Sequence, residues 1–403
     1  MNPTTDLPAF SPLIEHFALD PSVVFLNHGS FGAPPRRALE VQDRVRRQME
    51  AEPVRFFVEE LEPLLDAARA RMARLVGCDP ADFAFVTNAT EGVNTVVRSL
   101  RFQPGDELVT SHHEYNACNN VLDFAAERWG ARVVRAAVPF PIASEDQAVD
   151  AILSVVTERT RLVLLSHITS PTALVLPVKR LIAELSARGI DTLLDSAHAP
   201  GHVPLHVEEL GVAYCTGNFH KWMCAPKGSA FLYVRSDRQH AIRPLVISHG
   251  ANSRRTDRSR FRLEFDYVAT RDYSPWLATP VAVDALESII PGGWPEIVRR
   301  NRALALQARS ILADALGTPR TCPDSMIGAM ATAILPDRAA REGDQTRYAD
   351  PLQDRLVNRW RIQVPIIPFP APPRRHVRVS AQVYNQIGQY EYLAAALKEE
   401  TRA

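Results

Sequence analysis

Two residues of this chain have the types and spacing to run a reaction together. Asp195 follows a short strand-like run, Ile190 to Leu194, and opens the string Asp195-Ser196-Ala197-His198-Ala199-Pro200-Gly201. Such a run reads as a buried parallel strand that delivers a carboxylate to its C-terminal edge. That edge is where open α/β sheets bind ligands. Beyond a second strand-like run, Val212 to Cys215, comes Thr216-Gly217-Asn218-Phe219-His220-Lys221-Trp222. Between His220 and Trp222 the Lys221 ammonium is partly desolvated, and a desolvated lysine can lose its proton and attack a carbonyl. Taken singly, Asp195 could cap a helix or pair with an arginine, and Lys221 could be a solvated surface amine. Together they are the minimum for pyridoxal phosphate chemistry, a carboxylate that keeps a ring nitrogen protonated and a lysine that forms an imine.

The elements that must position this pair follow from periodicity. Strands are expected at Asp82 to Val86, Glu107 to Ser111, Arg161 to Ser166 and Gly228 to Val234, besides the two runs above. Repetition of strand, polar turn and helix predicts an α/β fold with a mainly parallel sheet and crossover helices. Helices are expected at Arg36 to Glu50, at Val58 to Val76 with its Leu61, Leu65, Ala68 and Met72 stripe, and at Val178 to Arg188. From Pro275 to Leu316 the pattern is helical, and Met326 to Leu335 reads as a strand of a second domain. The charged stretch Arg254 to Arg262 reads as mobile, and the Pro-rich Pro365 to Pro373 as an extended connector.

Composition narrows the function classes. A chain of 403 residues exceeds one small core and suggests one large domain plus a smaller one. Its 46 basic and 46 acidic residues cancel, so no field favours nucleic acid or an anionic membrane. No apolar run reaches transmembrane length, and Met1 to Phe17 lacks the pattern of a signal peptide. Five widely spaced cysteines without a Cys-x-x-Cys pair argue against a disulfide scaffold and fit a reduced cytoplasm. His112-His113-Glu114 has no second ligand cluster at zinc spacing, so no metal is expected. Neither a Gly-x-Gly-x-x-Gly nor a Walker string occurs, which removes the main support for a nucleotide.

Three further strings could hold a ligand. Asn27-His28-Gly29-Ser30-Phe31-Gly32 is a glycine-bracketed loop in which Asn27 and His28 could donate, or a plain turn before a helix. Thr87-Asn88-Ala89-Thr90-Glu91-Gly92 opens a helix, where free N–H groups and the dipole suit a phosphate, although Thr and Asn are also ordinary caps. In Val377-Arg378-Val379-Ser380, an arginine leaving a short strand could bind a carboxylate, or flank an edge strand at the surface.

The order of Asp-x-Ala-His and Asn-x-His-Lys, with these strings around it, resembles the class V aminotransferase group of fold-type I pyridoxal phosphate enzymes, and within it the isopenicillin N epimerase-like subgroup. The likeness spans about Phe25 to Asn385 in six motifs in the right order. It implies a seven-stranded, mainly parallel sheet with flanking helices and a smaller α+β C-terminal domain. The expected division is 1–24 as an N-terminal segment packing on the small domain, 25–285 as the cofactor-binding domain and 286–403 as the small domain. It further implies pyridoxal 5'-phosphate attached to Lys221, Asp195 on the ring nitrogen, and His198 on the phenolic oxygen. Tyr115 is implied as the stacking aromatic, where desulfurases usually carry histidine. Ser170 stands where desulfurases carry an asparagine that touches the phenolic oxygen, and a hydroxyl can also donate there. Ala89, Thr90, Asn218 and His220 are implied as phosphate ligands, joined by Thr270 from the second subunit of a homodimer, although Ala269 replaces the glycine usual before it. Arg378, with Asn27 and His28, is implied as substrate-binding.

The resemblance implies chemistry at the α-carbon of an amino acid, most simply epimerisation. Carbon–sulfur lysis of an S-substituted cysteine, as in ergothioneine-type pathways, and transamination are the alternatives, and a catalytically silent cofactor-binding protein is the alternative of another class. An epimerase needs an acid on the face opposite Lys221, for which Tyr115, His28 and His113 are the candidates. No cysteine follows Cys322, which argues against a persulfide-forming desulfurase.

Overall fold

Short segments rich in Val, Leu and Phe and buried on both faces make the strands of the main sheet. In chain order the strands are β1 (Val24–Phe25), β2 (Phe83–Val86), β3 (Glu107–Ser111), β4 (Arg132–Ala136), β5 (Thr160–Ser166) and β6 (Asp191–Asp195). They continue with β7 (Tyr214–Asn218), β8 (Ala230–Val234), β9 (Met330–Leu335), β10 (Ile362–Gln363), β11 (Ile366–Pro368) and β12 (Arg375–Ser380). The computed structural model describes residues 7–339, 347–348 and 350–402; positions 1–6 of the expected 1–24 segment lie outside the described residues.

The main sheet has seven strands in the order β2-β8-β7-β6-β5-β3-β4. Only β8 runs against the others, pairing antiparallel with both β2 and β7. Because β6 and β7 lie side by side and parallel, with Asp195 opposite Thr216, their C-terminal ends open at the same edge. The strand β4 and the helix Glu145–Leu153 fall between Trp129 and Thr160, where no element was read from the sequence. β4 is an edge strand with Arg132 and Arg135 in its five residues, so its apolar signal is diluted.

A second sheet, β11-β12-β9, is antiparallel. Proline-rich sequence did not prevent β11 from pairing: it is an edge strand, which tolerates Pro368. The expected helix from Pro275 to Leu316 is two helices, Ser274–Ile289 and Gly293–Leu316, parted at Gly292, whose φ of 97° no helical residue adopts. The N-terminal strand β1 pairs with β10, and Phe17 meets Tyr384 edge-on at 4.9 Å.

The stretch Arg254 to Arg262 is packed rather than free. Arg255 reaches Glu62 at 2.6 Å, and Arg258 reaches Glu62 at 2.8 Å and Asp266 at 3.1 Å. Arg69, almost fully buried, joins Asp66 at 2.7 Å and also contacts Asp266. Charge density alone suggested mobility; two of the counter-charges, Glu62 and Asp66, sit on the distant helix Leu61–Val76 and could not be paired by reading locally.

One glycine fixes the approach of the helix Ala89–Ser99 to β7. A Cβ on Gly92 would lie 2.1 Å from Thr216 Oγ1, which itself donates to the Phe231 carbonyl at 2.7 Å. We expect Gly92→Ala to push this helix off the strand that carries Asn218, at a cost of about 1–3 kcal/mol. A thermal melt should show a loss of a few degrees; an unchanged melt would mean that the helix slides freely.

Candidate active site

A cavity of about 440 Å³ opens at the C-terminal edge of β6 and β7. Ala89, Thr90, Tyr115, Ser170, Asp195, His198, Asn218, His220 and Lys221 all line it, together with Ser30 and Phe31. Three elements far apart in sequence thus meet at one point: two adjacent strand ends and a helix start.

Asp195 ends β6 and is buried. Its Oδ1 accepts the Ala197 N–H at 2.8 Å and its Oδ2 accepts the Cys118 thiol at 3.3 Å. Neither partner neutralises it, and burial raises its pKa. Glu114 lies beside it, accepting the Tyr115 N–H at 2.8 Å and the Ser166 hydroxyl at 2.9 Å. Burial, and then the Asp195 charge, push the Glu114 carboxyl up to about 8. Two carboxylates this close do not both stay ionised. Glu114, Cys118 and Asp195 bring their ligand atoms within 4.8 Å of one another, and each is already engaged in the hydrogen bonds above.

Lys221 follows β7 with its Nζ 3.2 Å from His198 Nε2. Burial pushes its amine down to about 8, against the opposing pull of Asp195. Only the neutral amine attacks an aldehyde. Modification of Lys221 in the cofactor-free chain should therefore rise with pH to a midpoint near 8 and level off above it. Mass mapping against pH checks this, and a midpoint near the ordinary lysine value of about 10.4 would refute it.

The start of the helix Ala89–Ser99 is prepared for an anion. Asn88 caps it by accepting the Glu91 N–H at 2.8 Å, and Asn218 Oδ1 accepts the Ala89 N–H at 2.8 Å. Asn218 thereby turns its NH₂ donors free, and the Thr90 N–H is left without a protein acceptor among the described residues. His220 donates from Nδ1 to the Ser229 carbonyl at 2.9 Å, so Nε2 of the neutral ring carries a lone pair. Burial holds its pKa down to about 4, so this ring must take up a second proton before it can donate to a phosphate.

Arg378, on β12, is buried and has no carboxylate partner among the described residues. Its guanidinium contacts the Ser170 carbonyl, lies 3.3 Å from Ser170 Oγ and donates to Ser30 Oγ at 3.1 Å. Its Nε has no acceptor. Burial lowers its pKa to about 10. An uncompensated buried guanidinium behind two cavity-lining serines is a demand for an anion.

Several expected residues are placed elsewhere. The His28 side chain is fully buried and turned from the cavity, with Nε2 3.0 Å from the Lys221 carbonyl and Nδ1 2.7 Å from the Tyr384 hydroxyl. The Gln382 amide nitrogen closes on the same Nε2 at 3.2 Å. His28 therefore fixes the backbone at Lys221 instead of meeting a ligand directly. Asn27 accepts from Ser30 Oγ at 2.6 Å and acts on the cavity through that serine. His113 is also turned away, held by Thr172 at 2.6 Å and by the Val138 carbonyl at 2.9 Å. Thr270 lines a different cavity of about 410 Å³, with Thr87 and Glu91. Before it, Ala269 keeps a φ of 114°, the positive region a glycine would occupy without strain.

Reading the sequence missed Ser30, Phe31, Glu114 and Cys118. Ser30 sits two residues past His28 in a string already singled out, whereas nothing local to Cys118 points at Asp195, seventy-seven positions away.

The chain belongs to the class V aminotransferase family, whose profile (Aminotransferase class-V) matches residues 35–264. It is a pyridoxal phosphate-dependent enzyme of fold-type I. Among curated relatives, the isopenicillin N epimerase of Amycolatopsis lactamdurans is 36% identical over 96% of this chain and 97% of its own length. The putative L-cysteine desulfhydrase 1 of Oryza sativa subsp. japonica is 32% identical over 94% of this chain and 83% of its own. Among solved structures, the cystine C-S lyase C-DES in complex with cysteine persulfide superposes with a TM-score of 0.76 at 21% identity, covering 94% of this chain and 97% of that one. No helix of the described residues is long and apolar enough to cross a membrane.

The residues present fit the cofactor on their own chemistry: a buried carboxylate with no salt bridge among the described residues, a depressed lysine amine, and a helix start with donors facing the same cavity. Pyridoxal phosphate, when bound, supplies an electron sink that makes the α-proton of an amino acid acidic.

Proposed function

We propose that this enzyme epimerises an amino-acid substrate at its α-carbon, in the manner of the isopenicillin N epimerases. The observation that carries the reading is the convergence of Lys221 and Asp195 on one cavity, with the uncompensated Arg378 directly behind its lining residues Ser170 and Ser30, in a chain 36% identical to such an enzyme over nearly its whole length. Arg378 takes the substrate carboxylate, and Lys221 holds the cofactor and moves the α-proton. Asp195 keeps the ring nitrogen protonated, His198 meets the phenolic oxygen, and Ala89, Thr90, Asn218 and His220 take the phosphate.

A second reading, β-elimination from a cysteine substrate, is favoured by one specific feature. Epimerisation needs an acid opposite Lys221, and with His28 and His113 turned away Tyr115 is left of the three candidates. Tyr115 lines the cavity with 48% of its surface exposed. A lyase needs no such acid, because the β-substituent leaves as charge builds at the α-carbon. Incubation with L-amino acids and S-substituted cysteines in deuterated water separates the two. Deuterium incorporation with inversion and no pyruvate supports epimerisation; pyruvate and ammonia from a cysteine conjugate support elimination; an aminated cofactor supports transamination. Absence of any α-exchange would leave a silent binding protein.

We further propose the division 1–24, 25–285 and 286–403, a cytoplasmic setting for five buried free cysteines, and a homodimer with its sites at the interface. Thr270 belongs to this last proposal, since it lies outside its own chain's cofactor cavity. Thr270→Ala should weaken cofactor affinity by about ten- to a hundredfold, the worth of one hydrogen bond to a charged group. Unchanged affinity, or an active monomer in sedimentation, would refute it.

A further inference from the structure

We propose that Trp222 is a positioning residue that fixes the tautomer of His198 and thereby holds Lys221 as a free amine. The inference deepens the reading of Lys221 above and rests on it for one arm of the test only.

The argument is a count of protons. Trp222 Nε1 lies 3.3 Å from His198 Nδ1. An indole nitrogen can only donate, so Nδ1 must be the acceptor and carry no proton. Burial holds the His198 pKa well below its ordinary value. The ring is therefore neutral, and its single proton sits on Nε2.

Nε2 in turn lies 3.2 Å from Lys221 Nζ. A protonated Nε2 is a donor, and an ammonium has no lone pair to accept it. The contact is a hydrogen bond only when Lys221 is the neutral amine. The other arrangement, an ammonium donating to a bare Nε2, would put the ring proton on Nδ1 against the indole N–H. Two donors would then face each other in a buried site. Trp222 excludes that arrangement.

The groups facing His198 are consistent with it. His198 meets Lys221, Arg378, His202 and His220, none of which is an anion that would draw a second proton onto the ring. Lys221 meets Asp195, Arg378 and Cys118, and of these Asp195, and then Cys118, favour its charged form. The His198 N–H therefore acts against Asp195 at Lys221 Nζ. Trp222 itself is immobilised. It is fully buried, packs with Ile168, Ala173 and Met330, and lies 5.0 Å from the His28 ring and 4.2 Å from the His202 ring.

The test uses the full-length enzyme with ¹⁵N-labelled histidine, read first without cofactor, where Lys221 is an amine. Long-range proton–nitrogen NMR reads which ring nitrogen is protonated, and the His198 signals are assigned by their loss in His198→Gln. The wild type should show a proton on Nε2 and none on Nδ1. In Trp222→Phe the ratio of the two tautomers should fall by about three- to tenfold, the worth of one neutral hydrogen bond. A proton on Nδ1 in the wild type overturns the proposal, and this result needs no variant at Trp222 to fold. An unchanged ratio in Trp222→Phe also overturns it.

The second arm follows the pH midpoint of the visible cofactor band. Trp222→Phe should move that midpoint in the wild-type background and leave it in place in His198→Gln, whose amide donates without tautomers. Equal movement in both backgrounds would mean that Trp222 only fills space, and would overturn the assignment. Failure to take up any cofactor would sink the proposed function instead, while the labelled protein still reports the tautomer.

Discussion

Lys221→Ala should lower α-proton exchange by at least about a thousandfold, since it removes both the amine that attaches the cofactor and the base that moves the proton, and a positioned base alone contributes 10²–10⁴-fold. The chain has only four lysines, Lys179, Lys221, Lys227 and Lys398, so borohydride trapping followed by peptide mapping reads the attachment directly. Lys227 is the control. Its side chain is exposed, and its Nζ donates to the Gly32 carbonyl at 3.1 Å. Label on Lys227 in the wild type, or a Lys221→Ala rate within tenfold of normal, would contradict the assignment. Added small amines should restore part of the lost exchange, because the cavity retains Asp195 and His198.

Arg378→Ala should cost roughly a hundredfold or more in kcat/KM, consistent with the 2–5 kcal/mol that follows truncation of one partner of a buried, hydrogen-bonded charge pair. The variant also releases Ser170 and Ser30, so the loss alone would not prove carboxylate binding. Arg378→Lys separates the effects: it keeps the charge and loses the planar fork that matches a carboxylate. The decisive comparison is between an amino acid and the amine that lacks its carboxylate. The wild type should favour the amino acid strongly, and Arg378→Ala should treat the two nearly alike. Discrimination that survives the substitution would place the clamp elsewhere.

The sequence by itself determined the parts of this site that are local. Asp195 closes a short run that reads as a buried strand, and the Asn88 cap three residues before Glu91 marks a helix start by its own spacing. Short-range periodicity specifies such features because strand and helix repeats need only a few residues to be read. It also set the order of strands and turns, and with it the edge at which a ligand binds.

What the tertiary structure decided is which side chains face that edge and what they touch. His28 and Ser30 belong to one string, yet His28 turns inward to the Lys221 carbonyl while Ser30 meets Arg378 across 348 positions of sequence. Cys118 reaches Asp195 because the helix Asn116–Trp129 packs on the sheet at that height, which no pattern within the helix encodes. The mobile reading of Arg254 to Arg262 failed for the same reason, since Glu62 and Asp66 neutralise it from another helix. In each case the energy resides in a long-range pair, and desolvation of a polar group is compensated only by a partner that chain order does not predict.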